Sequence, residues 1–161
     1  MSRPTKDAYF LKMAALVATR ATCLRRSVGC VLVNARGHVL ATGYNGVAAG
    51  LPHCNEKTIT RVDPSRYYKS EYLHACLGAG AAAGDALEQC AAIHAEQNAL
   101  LQCRDVWAID TCYATVFPCV HCAKLLLNTG CRRIVHAADY ADASQALWVG
   151  AGRAAEKLVI I

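Results

Sequence analysis

Two short segments, "IHAEQNAL" (93–100) and "FPCVHC" (117–122), constrain what this chain can fold into more than any other feature. Cys119 and Cys122 are spaced i, i+3, which places both thiols on one face of a helix, in its first turn. The positive end of the helix dipole favours thiolates there. Two thiolates and the imidazole of His94 form a zinc ligand set, and three protein ligands leave one tetrahedral position open, as in catalytic zinc sites. The fold must therefore bring the two segments together at one metal ion.

Glu96 follows His94 by two residues, and in the first turn of a helix both side chains can face the metal. A carboxylate in that place can act as general acid and base towards water, whose pKa falls from about 15.7 to about 7 on zinc. Taken singly, a Cys-x-x-Cys pair is equally typical of a redox pair or half of a structural zinc site, and a histidine at a helix start is usually a core residue. The complete pattern, His-x-Glu followed by Pro-Cys-x-x-Cys, is the signature of zinc-dependent base deaminases.

Apolar spacing and turn residues predict a single domain over residues 1–161, with an insertion at about 47–90. The predicted helices span 7–20, 94–103, 118–130 and 143–152, and the predicted strands span 27–33, 38–44, 110–117, 132–137 and 157–161. Strands that alternate with helices after a leading hairpin are typical of a layered α/β sandwich with a mixed sheet.

Composition excludes several classes of protein. The chain is 55% hydrophobic and 18% charged, which is typical of a folded domain and not of a disordered one. A net charge of +5 suits an anionic ligand such as a phosphate, but no Lys/Arg run is long enough to indicate binding to duplex nucleic acid. There is neither a secretory signal nor a membrane-spanning apolar run, so we expect a cytoplasmic protein, in which the ten cysteines bind metal or are buried.

Beyond the signature, the segments "CLRRSVGCVLV", "ATGYNGVAAGLPHCNE", "HAEQNALLQC" and "FPCVHCAKLLLNTGCRRIVHAADY" resemble the deoxycytidylate (dCMP) deaminases. The resemblance implies a cytidine deaminase-like three-layer α/β/α sandwich with a central mixed sheet of about five strands. It implies zinc-dependent hydrolysis of dCMP, or of a 5-substituted dCMP, to the corresponding dUMP and ammonia. It also implies a homo-oligomer, for which a hexamer is a common form. The alternative is a zinc deaminase that acts on a base in tRNA or single-stranded DNA.

Within the signature, Glu96 is the expected catalytic proton carrier. The resemblance also implies roles for residues outside the signature: Asn45 would hydrogen-bond the nucleotide. Tyr140 would contact its phosphate or sugar, and Arg26 and Ser27 are candidates for the phosphate itself. For Arg26 the alternative is a solvated surface arginine, and for Asn45 it is a turn residue beside a glycine.

A second, structural zinc occurs in many members of the family, bound around the insertion. Cys23, Cys54 and Cys90 stand at matching places, with His53 or His74 as the fourth ligand. The usual family histidine just before the catalytic motif is missing, since residues 84–89 read GDALEQ. Buried free thiols therefore remain the competing interpretation for these cysteines.

Overall fold

The computed structural model describes residues 3–54 and 90–159, so most of the predicted insertion lies outside the described residues. The helices are α1 (Lys6–Ala18), α2 (Ala95–Gln102), α3 (Val120–Leu127) and α4 (Ser144–Gly150). The strands are β1 (Gly29–Asn34), β2 (Val39–Tyr44), β3 (Gly46–Val47), β4 (Ala92–Ile93), β5 (Ile109–Val116), β6 (Arg133–Ala138) and β7 (Ala154–Lys157). Among these helices, none has both the length and the apolar character needed to span a bilayer.

The main sheet has five strands in the order β2-β1-β5-β6-β7. Strand β1 pairs antiparallel with β2 and β5, whereas β5, β6 and β7 run parallel to one another. Antiparallel neighbours can be joined by a tight turn, but parallel neighbours need a crossover connection, and α3 and α4 provide these crossovers. The mixed sheet expected from the sequence is therefore confirmed.

Helices cover both faces of this sheet, which makes three layers. One face carries α1, whose Phe10, Leu11 and Ala14 pack with Val31 and Tyr113. The other face carries α2, α3 and α4 and contains the larger apolar cluster; its helix members are Ala95, Ala99, Leu126 and Trp148. The α/β/α sandwich is confirmed, and its second helical layer contains both halves of the metal signature.

Partly buried hydrogen bonds hold helix α1 against the sheet. Thr5 caps the helix by accepting a hydrogen bond from Ala8 N at 3.2 Å. Asp7, in the first turn, accepts two hydrogen bonds from the Arg133 guanidinium, at 2.9 and 2.8 Å. The Tyr113 hydroxyl donates to the same carboxylate at 2.7 Å. These contacts join α1 to β5 and β6 at the rim of its apolar face.

Three predictions about secondary structure need correction. The last strand is Ala154–Lys157 and not 157–161, because the parallel register with β6 pairs residues 154–157 with residues 133–136. Strands β3 and β4 form a separate two-stranded sheet at the two ends of the insertion, which the sequence did not predict. Finally, Pro118 precedes the N-cap of α3, so it lies just before the helix and not within it.

Candidate metal centre and active site

His94, Cys119 and Cys122 come together at the start of two helices. The His94 Nδ1 atom lies 3.4 Å from Cys119 Sγ and 3.5 Å from Cys122 Sγ. For a tetrahedral zinc with Zn–S near 2.3 Å and Zn–N near 2.0–2.1 Å, ligand atoms of these types lie about 3.5 Å apart. Among the described residues, these three form the group whose donor atoms lie close enough together to hold a metal ion. The donor set and its spacing therefore fit zinc. We call these three residues the metal group.

The local chain conformation explains why these side chains converge. His94 and Cys119 are the N-caps of α2 and α3, both with extended backbone, and Cys122 lies in the first turn of α3. The His94 backbone N–H donates to Gln97 Oε1 at 2.9 Å, which fixes the entry into α2. Asp142 Oδ2 accepts a hydrogen bond from Val120 N at 3.0 Å and so caps the first turn of α3 from a distant loop.

Hydrogen bonds within the metal group favour the thiolate form of Cys119. Hydrogen bonds from the Cys122 thiol and, to a smaller extent, from the His94 ring lower the pKa of Cys119 to about 3. The same hydrogen bond raises the pKa of Cys122, because its proton is held by Cys119. The pKa of His94 is raised, mainly through its hydrogen bond to Cys119. A divalent cation would displace these shared protons and leave two thiolates and a neutral imidazole as ligands.

Glu96 lies beside the metal group, in the first turn of α2, and is only 4% exposed. Burial raises the pKa of its carboxyl above the ordinary value, and its side chain is within hydrogen-bonding contact of Cys122. A buried carboxyl group with a raised pKa is suited to take up a proton and give it back. The structure thus places the Glu96 carboxyl beside the metal group, and its role as proton carrier stays a prediction.

Helix α2 is held against the edge strand β2 by two side-chain amides. Asn98 Nδ2 donates to Tyr44 O at 2.8 Å, and Gln102 Nε2 donates to Thr42 O at 3.1 Å. Asn98 and Gln102 are four residues apart, which is a rise of about 6.0 Å along a helix. Their acceptors, Thr42 and Tyr44, are two residues apart, which is about 6.8 Å along a strand, so the donor and acceptor spacings match. Gly43, between the two acceptors, allows the close approach, since a Cβ there would lie 2.2 Å from Ala95 O. These contacts set the position of the helix that carries Glu96.

Comparison with known proteins supports the same chemistry. The family model described as the cytidine and deoxycytidylate deaminase zinc-binding region matches residues 4–138. The chain belongs to this family. It is 38% identical over 139 residues to the deoxycytidylate deaminase of Mycobacterium phage D29. This alignment covers 84% of this chain and 97% of the phage protein.

Two yeast relatives and one solved structure extend the comparison. The deoxycytidylate deaminases of Schizosaccharomyces pombe and Saccharomyces cerevisiae are 35% and 36% identical, over 86% and 87% of this chain. The chain spans only 38% and 40% of the length of those two relatives. The fold is similar to that of the cyanophage S-TIM5 dCMP deaminase in complex with dCMP and dUMP, with a TM-score of 0.69 and 23% identity, covering 98% of this chain and 100% of that one.

Asn45, which the family resemblance assigns to the nucleotide, is engaged with the chain itself. Its side chain is 7% exposed; Oδ1 accepts a hydrogen bond from Val28 N at 2.8 Å, and Nδ2 donates to Arg26 O at 2.7 Å. The amide therefore holds the segment 26–28 in place, with one Nδ2 hydrogen left for a ligand. Holding this segment is a task that the turn pattern around Asn45 did not predict.

The family resemblance assigns Arg26, Ser27 and Tyr140 to the phosphate or sugar end of the nucleotide, and the structure brings Arg26 close to Tyr140. Arg26 and Ser27 are exposed on the segment that Asn45 holds, and the Arg26 guanidinium lies 5.9 Å from the centre of the Tyr140 ring. Burial, followed by the charge of Cys119, raises the pKa of Tyr140, so its ring lies near the metal group. The sequence did not single out Arg25, whose charge acts on both His94 and Tyr140.

The residues considered for a second zinc are only partly within the described chain. Cys54 is buried, Cys23 and Cys90 are half-buried, and His53 is exposed. Within residues 3–54 and 90–159, these four do not assemble into a three-donor group like the metal group. His74 lies outside the described residues. The second zinc therefore stays a prediction.

Proposed function

We propose that this protein catalyses the zinc-dependent hydrolysis of dCMP, or of a 5-substituted dCMP, to the corresponding dUMP and ammonia. The observation that carries this proposal is the metal group with the buried Glu96 beside it. The relative from Mycobacterium phage D29, matched over 97% of its length, supports a deoxycytidine nucleotide as the substrate. Further support comes from the exposed Arg26 beside Tyr140, since a guanidinium binds phosphate through paired hydrogen bonds.

In this proposal His94, Cys119 and Cys122 hold the zinc ion. When bound, zinc supplies Lewis-acid activation of water, which makes a nucleophile available at neutral pH. Glu96 takes the proton of the attacking water and delivers it to N3 of the cytosine ring. It then moves the proton of the hydroxyl added at C4 to the amino group; the C4–N bond breaks, the C4=O bond forms, and ammonia leaves. The overall change adds one water to dCMP and releases one ammonia.

The surrounding residues orient the nucleotide. Arg26 and Ser27 bind the 5′-phosphate, and Tyr140 packs against the phosphate or sugar end. Asn45 holds the segment that carries Arg26 and offers its second Nδ2 hydrogen to the sugar.

An ammonia-release assay over a panel of cytosine nucleosides and nucleotides, with zinc content measured alongside, tests the proposal. We expect release from dCMP or a 5-methyl or 5-hydroxymethyl analogue, and loss of release in the Glu96→Gln variant with zinc retained. Removal of a general acid–base group typically costs about 10²–10⁴-fold in rate. If the zinc-loaded protein releases ammonia only from a tRNA or a single-stranded oligonucleotide, the polynucleotide alternative replaces this proposal.

The phosphate role of Arg26 has its own test. Arg26→Ala should raise KM for dCMP by about tenfold or more, because a charge-assisted contact to phosphate is lost, and leave KM for deoxycytidine unchanged. Arg36→Ala is the matched control, since Arg36 is exposed in the turn between β1 and β2. An equal effect on nucleotide and nucleoside would remove Arg26 from the phosphate site.

We also propose that a second, structural zinc binds Cys23, Cys54 and Cys90 with His53 or His74. The measurement is zinc stoichiometry in the Cys119→Ala variant. One zinc per chain should remain if the second site exists, and none if it does not.

Assembly and location are separate proposals. We propose a cytoplasmic location and a homo-oligomer, with a hexamer as one form. Large apolar side chains that α2 and α3 expose, such as Leu101 at 75% and Leu125 at 45%, support the oligomer. Sedimentation at micromolar concentration distinguishes an oligomer from a monomer.

A further inference from the structure

A second cavity lies away from the metal group. It has a volume of about 530 Å³ and is lined by Trp107, Thr129, Gly130, Arg132, Gly152 and Arg153; we call it the Trp107 pocket. Thr129 and Gly130 follow the C-terminal end of α3, whereas the metal group lies at the N-terminal end of the same helix. An eight-residue helix is about 12 Å long, so the Trp107 pocket and the metal group are distinct sites.

The charge of the Trp107 pocket is positive. Arg132 and Arg153 contribute two guanidinium groups, and none of the lining residues carries a carboxylate. Arg153 Nη1 donates to Cys131 O, which fixes that side chain and leaves its other N–H groups for a ligand. In the part of the chain that the structure describes, Arg132 is exposed and its guanidinium makes no ion pair. The pocket therefore offers guanidinium donors of the kind that bind phosphate oxygens.

Trp107 provides a flat apolar surface in the same pocket. Its side chain is 72% exposed, yet its backbone is held: Asp105 Oδ1 accepts hydrogen bonds from Trp107 N at 3.0 Å and from Ala108 N at 3.3 Å. Gly130 N donates to Val106 O at 3.1 Å, and a Cβ on Gly130 would lie 2.1 Å from Trp107 O. The glycine thus permits a close backbone contact that fixes the tryptophan. An exposed indole on a rigid backbone can stack on a planar ring.

We propose that the Trp107 pocket binds a nucleoside phosphate, with its base stacked on Trp107 and its phosphate bound by Arg132 and Arg153. The combination of an aromatic surface and two guanidinium groups matches the two chemical parts of such a ligand. The cavity volume lies in the range of pockets that hold small ligands, about 300–1,000 Å³. This site is independent of the proposed deaminase reaction, so either proposal can fail without the other.

Tryptophan fluorescence of the zinc-loaded protein, titrated with adenosine 5′-monophosphate, tests the proposal. The chain has two tryptophans, and Trp148 is fully buried, so a ligand that stacks on the exposed one quenches Trp107 selectively. We expect saturable quenching by the monophosphate, weaker binding of adenosine by about tenfold or more, and no quenching by inorganic phosphate alone. Arg132→Ala should weaken binding of the monophosphate by about tenfold, since one charge-assisted phosphate contact is lost.

Two controls make the result specific. Arg20→Ala also removes one exposed guanidinium, at the end of α1, and should leave the affinity within about twofold of the original. Arg132→Ala should leave turnover of dCMP within about twofold. The proposal is overturned if the monophosphate causes no quenching at low salt, or if adenosine binds as tightly as its monophosphate. It is also overturned if Arg26→Ala abolishes the binding and Arg132→Ala does not, because the ligand would then occupy the catalytic site.

Discussion

Replacement of Gly43 by alanine tests whether the contact between β2 and α2 positions Glu96, the proposed catalytic residue. A Cβ at this position would lie 2.2 Å from Ala95 O and 2.4 Å from Ala99 N. These two atoms are the acceptor and donor of a hydrogen bond in the first turns of α2, directly beside Glu96. Because both contacts are to backbone atoms, no side-chain rotation can relieve them.

The size of the effect follows from that distance. To restore an ordinary carbon–oxygen contact, α2 must move away from β2 by about 1 Å. Overpacking of this kind typically costs about 1–3 kcal/mol of stability, which corresponds to a fall in Tm of roughly 3–10 °C for a domain of this size. A misplacement of about 1 Å at a catalytic group can lower the rate by about 10²-fold. We therefore expect Gly43→Ala to lose both stability and turnover.

The assay is ammonia release from dCMP per bound zinc, together with thermal unfolding. Gly150→Ala is the matched control, because a Cβ at Gly150, in α4, meets no atom within 4 Å. The control should retain full kcat and equal or higher Tm, since alanine is the better helix former. If Gly43→Ala instead keeps its kcat and Tm close to those of the control, the close approach does not determine where Glu96 lies.

Three further perturbations have defined outcomes. Cys119→Ala should lose the catalytic zinc, measured by metal analysis after dialysis; unchanged total zinc would remove this thiol from the ligand set. Gln102→Glu keeps the side-chain size but not the amide donor to Thr42 O, so kcat per zinc should fall several-fold with KM unchanged; a change in Tm alone would indicate a purely structural contact. The hydrogen bonds from Arg133, opposed by partial burial, lower the pKa of Asp7. At pH values above the unfolded-state pKa near 4, Asp7→Asn should therefore lower the free energy of unfolding, measured in urea, by about 1 kcal/mol. This difference between variant and original should vanish as the pH falls through the lower folded-state pKa of Asp7. A difference that stays constant with pH would refute the ionic contribution.

The metal group was predictable from the sequence because its geometry is local. A Cys-x-x-Cys pair at a helix start has only one way to present both thiols on one side, and the proline before Cys119 marks that start. The pairing with His94 was predicted from the complete His-x-Glu and Pro-Cys-x-x-Cys signature, and the structure brings the starts of α2 and α3 together at these residues.

Other contacts could not be predicted, because they join residues that no spacing rule connects. Asp142, which accepts the hydrogen bond from Val120 N, comes 22 residues later in the chain. An aspartate in a loop is too common to indicate a cap on so distant a helix. Strand β7 reads AAEK and is mostly exposed, so neither alternation nor β-branched residues mark it. Asn45 was assigned a ligand role from the family resemblance, whereas its amide is occupied mainly with the backbone of residues 26–28.

The convergence of two helix N-termini explains how the fold tolerates a buried carboxylate beside two thiolates. Each N-terminus acts as roughly half a positive charge. Two thiolates and an ionised Glu96 carry three negative charges, and a divalent cation neutralises two of them. The two helix ends together supply about one positive charge, which offsets the remaining negative charge. His94 and Cys119 are themselves the N-caps, so the ligands lie where this field is strongest. Shifting either residue off its helix end would therefore move a metal-group side chain away and also weaken the field that favours the Cys119 thiolate.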